Sequence, residues 1–238
     1  VTLAAHFVRT RDDLKTGRLA AKASQHLIIV GWNERSRNIV THIAERDERL
    51  DIVLIDKTAR ENPAENLVHF IHGDPSEDRI LQKANIQKAE TLLITADQHL
   101  SEKDADMQST LTLLAAKALN PDLYAIVEML TREQLINAWR AGADEMIETA
   151  NLISLTMVNS IFSHGISTTL VDVLNHLQGN KLTFEEAAEE MIGLTFPEAH
   201  HTLFLQETLL IGLKKGETVY MNPSSTVSIE KNDQLIMI

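Results

Sequence analysis

His26-Leu-Ile-Ile-Val-Gly31-Trp-Asn-Glu-Arg-Ser36 is the stretch that decides the fold. Leu27–Val30 is a short, branched, apolar run that would leave neither face wet, and it stops at a glycine from which 34–46 continues at helical spacing. A buried strand that turns through glycine into a helix opens a strand–helix–strand unit. The alternation then repeats. Residues 52–55, 68–71, 91–95 and 124–128 read as strands, with a sixth at 145–148, and 76–84, 102–119 and 131–141 read as helices. Ser101 and Thr131 are each followed by an acidic residue within the first turn, as helix starts prefer. Residues 26–149 are therefore predicted to form a Rossmann-like, doubly wound parallel sheet of the α/β class.

After Ala150 the period changes. Two apolar helices are expected at 151–162 and 166–177, parted at His164-Gly165, where glycine terminates a helix. They carry more apolar residues than one face needs, which predicts burial against a second copy or a second domain; the alternative is packing on their own sheet. From Gly179 the chain reads as a small β-rich α+β lobe, with strands at Lys181–Glu186, Met191–Phe196, Thr208–Leu213, Thr218–Met221 and Gln234–Ile238. Gly216 and Asn222-Pro223 supply turns. At the other end, Val1–Val8 is mildly apolar before the charged Arg9–Lys15. That reads as the tail of something hydrophobic upstream, or as a processed terminus or a docking strand.

Composition excludes several classes. The 238 residues include no Cys, 9 Gly and 5 Pro, which rules out disulfide scaffolds, Cys-ligated zinc, collagen and low complexity. With 22 Lys and Arg against 34 Asp and Glu the formal charge is −12, so the positive field that a nucleic-acid backbone requires is missing. No run approaches the roughly 18–20 apolar residues of a membrane helix.

The first strand ends where a dinucleotide-binding chain carries three glycines, and only Gly31 is one of them; Asn33 and Ser36 hold the other two positions. The N–H groups at the start of the next helix still suit an anion, opposed by Glu34. Gly31, Asn33, Glu34, Arg35 and Ser36 are thus candidate nucleotide-binding residues, joined by Asp56, placed to accept from a ribose diol or else to cap its own turn. Asp74, in His72-Gly-Asp-Pro75, falls at the same carboxyl edge of the sheet, as do Asp97 and Glu128. Asp56, Asp74, Asp97 and Glu128 could surround one crevice, and such oxygen ligands suit Ca²⁺ or another hard divalent cation. Catalytic motifs are missing: there is no Gly-x-Ser-x-Gly, no His-Glu-x-x-His and no P-loop. His200-His201 beside Glu198 reads as a solvated turn before it reads as a transition-metal pair. Glu102-Lys-Asp104-Ala-Asp106 reads as a solvated helix face.

The order of these motifs resembles the RCK domain (regulator of potassium conductance) of MthK-type calcium-gated prokaryotic potassium channels. The residues that carry it are His26–Glu34, Val53–Asp56, His72–Pro75 with Leu81-x-Lys-Ala-Asn85-Ile, and Arg140-Ala-Gly-Ala-Asp144, followed by Met191–Phe196, Leu209–Leu213, Asn222-Pro223 and Asn232–Ile236. The resemblance implies a linker from an inner pore helix at 1–22, an N-lobe at 23–150, a dimerising helical crossover at 151–178 and a C-lobe at 179–238. It implies a non-enzymatic gating-ring domain on the cytoplasmic side of the cell membrane, pairing as dimers that build an octameric ring and coupling a ligand to a membrane-embedded potassium pore. Of the calcium ligands of that family, the first fifth-strand position matches Glu128, the second falls on Leu130, and the fourth-strand position falls on Thr95, with Asp97 two residues on. A relocated cation site would use Asp97 and Glu128. The family also includes members that bind NAD or adenine nucleotides in the N-lobe, or cyclic dinucleotides in the C-lobe. The same fold serves as the peripheral subunit of Trk/Ktr-type potassium uptake systems, which is the alternative reading. An NAD-dependent dehydrogenase is the distant one, since it needs an intact glycine fingerprint and a placed proton donor.

Overall fold

The strand predicted at the head of the chain is β1 (His26–Val30), and all five of its residues are buried. It lies in a computed structural model that describes residues 3–46, 49–174 and 182–238. The last turn of the helix read to 177, the opening Lys181 and the 178/179 boundary lie outside the described residues. The chain divides into two units between Ser154 and Leu155.

In the first unit six parallel strands run in the order β3-β2-β1-β4-β5-β6. The others are β2 (Ile52–Asp56), β3 (His69–His72), β4 (Ala89–Ile94), β5 (Tyr124–Met129) and β6 (Glu145–Glu148). Alternate residues of β1 feed opposite faces: Ile28 and Val30 join Leu92, Leu113 and Ala116 on one side, while Leu27 and Ile29 join Leu54, Val40 and Phe70 on the other. Fully burying one such side chain stabilises by about 1.5–3 kcal/mol, so the central strands are the anchor of the unit. The helices are α2 (Glu34–Arg46), α3 (Asp78–Lys83), α4 (Glu102–Leu119) and α5 (Leu135–Arg140).

Ser101 caps α4 as expected, its hydroxyl accepting the Asp104 N–H. Thr131 does not cap in the same way. A 3-10 turn at Arg132–Gln134 separates it from α5, and its hydroxyl donates to Asp106 at 2.6 Å. Asp106 in turn corrects the reading of a solvated run: it is fully buried and also accepts the N–H groups of Leu130 and Thr131, each at 2.8 Å. One carboxylate thereby ties α4 to the end of β5.

The N-terminal segment is helical, α1 (Leu3–Lys15), and not a docking strand. After it the chain is stitched to β3 and the loop before it: Lys15 O accepts from Asn62 N (2.7 Å) in that loop, Gly17 O from His72 N (3.1 Å), and Leu19 O pairs with the His69 ring (3.0 Å). Gly17 has φ +67°, and a Cβ there would stand 2.4 Å from His72 N, so only glycine permits this approach.

In the second unit four antiparallel strands run β7-β10-β8-β9, with β7 (Thr183–Glu186), β8 (Leu210–Lys215), β9 (Thr218–Met221) and β10 (Gln234–Met237). Its core gathers Met191, Phe196, Ala199, Leu203, Leu213 and Leu235. Met191–Phe196 is not the expected strand. Only a single bridge, Thr195 to Ser228, survives there, and Phe196 begins helix α8, which runs after the two crossover helices at Phe196–Phe204. Thr195 and Glu198 form a capping box with Pro197 in the first turn, where the fixed φ of proline favours a helix. His200 and His201 accordingly sit on a helix instead of a turn, the His200 ring stacking on Phe204 with centroids 6.2 Å apart.

The crossover pair is α6 (Thr149–Phe162), which spans the division between the units, and α7 (Ile166–Leu174). Neither has a buried residue. Packing on their own sheet would have buried one stripe of each; instead Met157, Ile161 and Phe162 are 64, 70 and 82% exposed.

Candidate functional site

The direction of strand order reverses between β1 and β4, which opens a crevice at the carboxyl ends of the parallel strands. It holds a cavity of about 250 Å³. Gly31 forms its floor at φ +89°, where a Cβ would lie 2.8 Å from Thr95 Oγ1. Of the residues chosen from sequence, Gly31, Asn33, Glu34, Asp56 and Asp97 line the cavity, whereas Arg35, Ser36, Asp74 and Glu128 are not among its lining residues.

The hydrogen bonds explain this division. Asn33 Oδ1 accepts the Arg35 and Ser36 N–H groups at 2.9 and 3.1 Å, so Asn33 caps α2 itself. Ser36 Oγ accepts the Asn33 N–H at 2.8 Å. The donors that a pyrophosphate would seek are therefore already satisfied within the chain. Asp56 is 6% exposed; one oxygen accepts the Trp32 N–H at 2.8 Å, and the other accepts Thr58 N, Thr58 Oγ1 and Ala59 N at 2.6–2.7 Å. Asp74 accepts from Ser76 N and Oγ at 2.9 and 2.7 Å. Burial pushes its pKa up, but these two bonds and the nearby Lys57 outweigh burial and hold it below the ordinary value. Asp97 lies 3.8 Å from the Lys57 ammonium. Glu128 pairs with Arg35 at 3.0 Å. Among the described residues no three His, Asp or Glu side chains group as metal ligands.

The opposite wall comes from α4, through Gln108, Ser109 and Thr112. Sequence reasoning left these out because they follow a charged run. The available signal was the spacing of Ala105, Ser109, Thr112 and Ala116, which puts all four on one helix face, and all four are buried. Thr112 Oγ1 is buried without a hydrogen-bond partner. Lys57, next to Asp56, is the basic group on the wall that sequence reasoning also passed over.

Residues 27–149 match the TrkA-N domain family. The chain belongs to the TrkA-N family, the RCK domains. Likeness extends past the TrkA-N domain into the second unit. The chain is 36% identical over 228 residues to YugO of Bacillus subtilis, a proposed potassium channel protein, covering 93% of this chain and 68% of that one. It is 24% identical over 240 residues to the calcium-gated potassium channel TvoK of Thermoplasma volcanium, covering 100% and 68%. This TrkA-N protein thus spans about two thirds of the length of those relatives. The human SLO3 gating ring shares its fold, at a TM-score of 0.70 and 19% identity over 90% of this chain and 44% of that one. Among the described residues of the TrkA-N chain no helix is long and apolar enough to cross a membrane.

Proposed function

We propose that the chain is the cytoplasmic regulatory domain of a potassium channel, in which a ligand bound in the crevice biases the ring formed by several copies and thereby the pore. The observation that carries this reading is the run of similarity to potassium-channel proteins through both units, beyond the TrkA-N domain itself. The exposed apolar pair α6 and α7 supports assembly, since patches of this kind mark interfaces. The octamer and a linker at 1–22 leading from a pore helix belong to the same proposal. The role is non-catalytic: the crevice offers satisfied carboxylates and a Lys57–Asp97 pair, with no nucleophile held by a base.

Coupling follows from population shift. A ligand moves the ring only by its differential affinity for the two states, typically about 1–3 kcal/mol per site, and repeated copies make the response steep. The ligand site lies between Gly31–Glu34, Asp56–Thr58, Asp97 and α4, a cavity that suits a compact polar ligand of the nucleotide class, its contacts made by Lys57, Ser109 and Thr112. The pyrophosphate of a dinucleotide would have to displace Asn33 from the α2 N–H groups.

The test is potassium flux through the full-length channel in proteoliposomes with ADP, NAD⁺, Ca²⁺, Mg²⁺ or a cyclic dinucleotide on the cytoplasmic side. A saturable change in flux that Lys57→Ala or Ser109→Val weakens at least tenfold is expected. Flux that no ligand alters, or function only as a separate subunit beside an uptake pore, would overturn the reading.

A further inference from the structure

Arg35 occupies the first turn of α2, where a cation opposes the helix dipole. Its side chain leaves that helix for the edge between β4 and β5. Nε stands 3.0 Å from Glu128 Oε1, and a terminal nitrogen donates to Ala96 O at 3.3 Å. Glu128 is 94% buried in its side chain (6% exposed), and its Oε2 accepts the Ala96 N–H at 2.9 Å. Ala96 is thus held at its N–H by the carboxylate and at its C=O by the guanidinium, so the peptide groups on both sides of it are fixed.

The contact has an unusual quality. Although Arg35 Nε and Glu128 Oε1 approach within 3.0 Å, neither atom has a hydrogen-bond partner. What faces Oε1 is a charge, not an aligned donor. A buried carboxylate without a counter-charge is costly, so this cation is required where it stands. The two oxygens it serves, Glu128 Oε1 and Ala96 O, are a carboxylate and a carbonyl, the ligand types that hard divalent cations take, and an ion needs no hydrogen-bond alignment.

We propose that Arg35 is a tethered cation that stands beside Glu128 in place of a dissociable metal ion, and that it is the residue that keeps divalent cations from this edge. A guanidinium stays charged at every physiological pH and cannot diffuse away, so the edge is permanently filled. Asp97, which lines the crevice, follows Ala96 in the loop after β4, and the clamp on Ala96 therefore also fixes one wall of the crevice. The proposal concerns a single chain in solution and stands whether or not the channel reading does.

Thermal unfolding of the 238-residue chain with chelator or with millimolar Ca²⁺ or Mg²⁺ at constant ionic strength tests it. The wild-type midpoint is expected to ignore the divalent ion. Arg35→Gln is expected to lower the midpoint by about 5–10 °C in chelator, with most of the loss recovered by either ion. Arg35→Lys retains the charge and should show no recovery, and Arg35→Gln combined with Glu128→Gln should lose the response. If Arg35→Gln does not fold in chelator, its refolding yield is the readout: recovery only with divalent ion supports the proposal, and failure in both conditions overturns it. An Arg35→Gln midpoint unmoved by either ion, or a wild-type response that Glu128→Gln abolishes, also overturns it.

Discussion

Helices α4 and α6 invert the expectation that composition decides burial. α4 opens on Glu102-Lys-Asp-Ala-Asp106 yet buries Ala105, Asp106, Ser109, Thr112, Leu113 and Ala116. α6 carries no charged residue among its 14, eight of them apolar, and buries none. The first lies against the sheet, so even a carboxylate enters when three donors meet it there. The second has its apolar surface in excess of anything the described chain sets against it. Burial thus reports where an element is docked and not what it is made of.

The contrast is broken most directly by matched truncations. Leu113→Ala on α4 should cost about 3 kcal/mol in urea unfolding followed by tryptophan fluorescence, whereas Phe162→Ala on α6 should stay within about 0.5 kcal/mol at protein concentrations where the chain is monomeric. Equal costs would show that α6 is docked within its own chain. Asp106→Ala should cost about 2–3 kcal/mol because it orphans the Leu130 and Thr131 N–H groups, with Asp106→Asn retaining part of the loss. Ile161→Lys should leave the unfolding free energy within about 0.5 kcal/mol while abolishing self-association in light scattering. An unchanged mass would remove the second copy as the cover for α6.

The smallest effect concerns the far end of α4, where Lys117 donates to Asp144 at 2.7 Å. Burial raises the Asp144 pKa, but the Lys117 bond and the Ala125 N–H outweigh it and leave the carboxyl below its ordinary value. A depressed folded value means the stabilisation is present above the unfolded pKa near about 4 and is lost as the pH falls through the folded value. Asp144 is exposed, so the contribution is screened and small. Asp144→Asn should flatten the acid limb of the stability profile slightly, and an identical limb would assign the slope to other carboxylates.

Much of the fold was legible because its signals are local. The all-apolar β1 run, the glycine behind it and Ser101 ahead of α4 each declare themselves within a few residues. Helix α8 stayed hidden because the strand expected at Met191–Phe196 ends just short of Pro197, although that proline with Thr195 and Glu198 spells a helix start. Asp106 was misread because its partners lie 24 and 25 residues away. The candidate site divides in the same way. Gly31, Asp56 and Asp97 follow from strand ends, whereas the pairing of Arg35 with Glu128 joins positions far apart along the chain and leaves no local trace. The α4 wall was within reach of helical periodicity but was masked by the charges in front of it.

The approach of Gly17 to His72 has a mechanical consequence. With a backbone bond from Asn62 at Lys15, one from His72 at Gly17 and a ring contact from His69 at Leu19, the segment after α1 has almost no slack. A displacement of the parallel sheet is therefore handed to α1 within a single turn of chain, as by a lever with its fulcrum at Gly17 and not by a loose string. A methyl group added at that fulcrum would collide with His72 N and Phe70 of β3 and so pry the two arms apart.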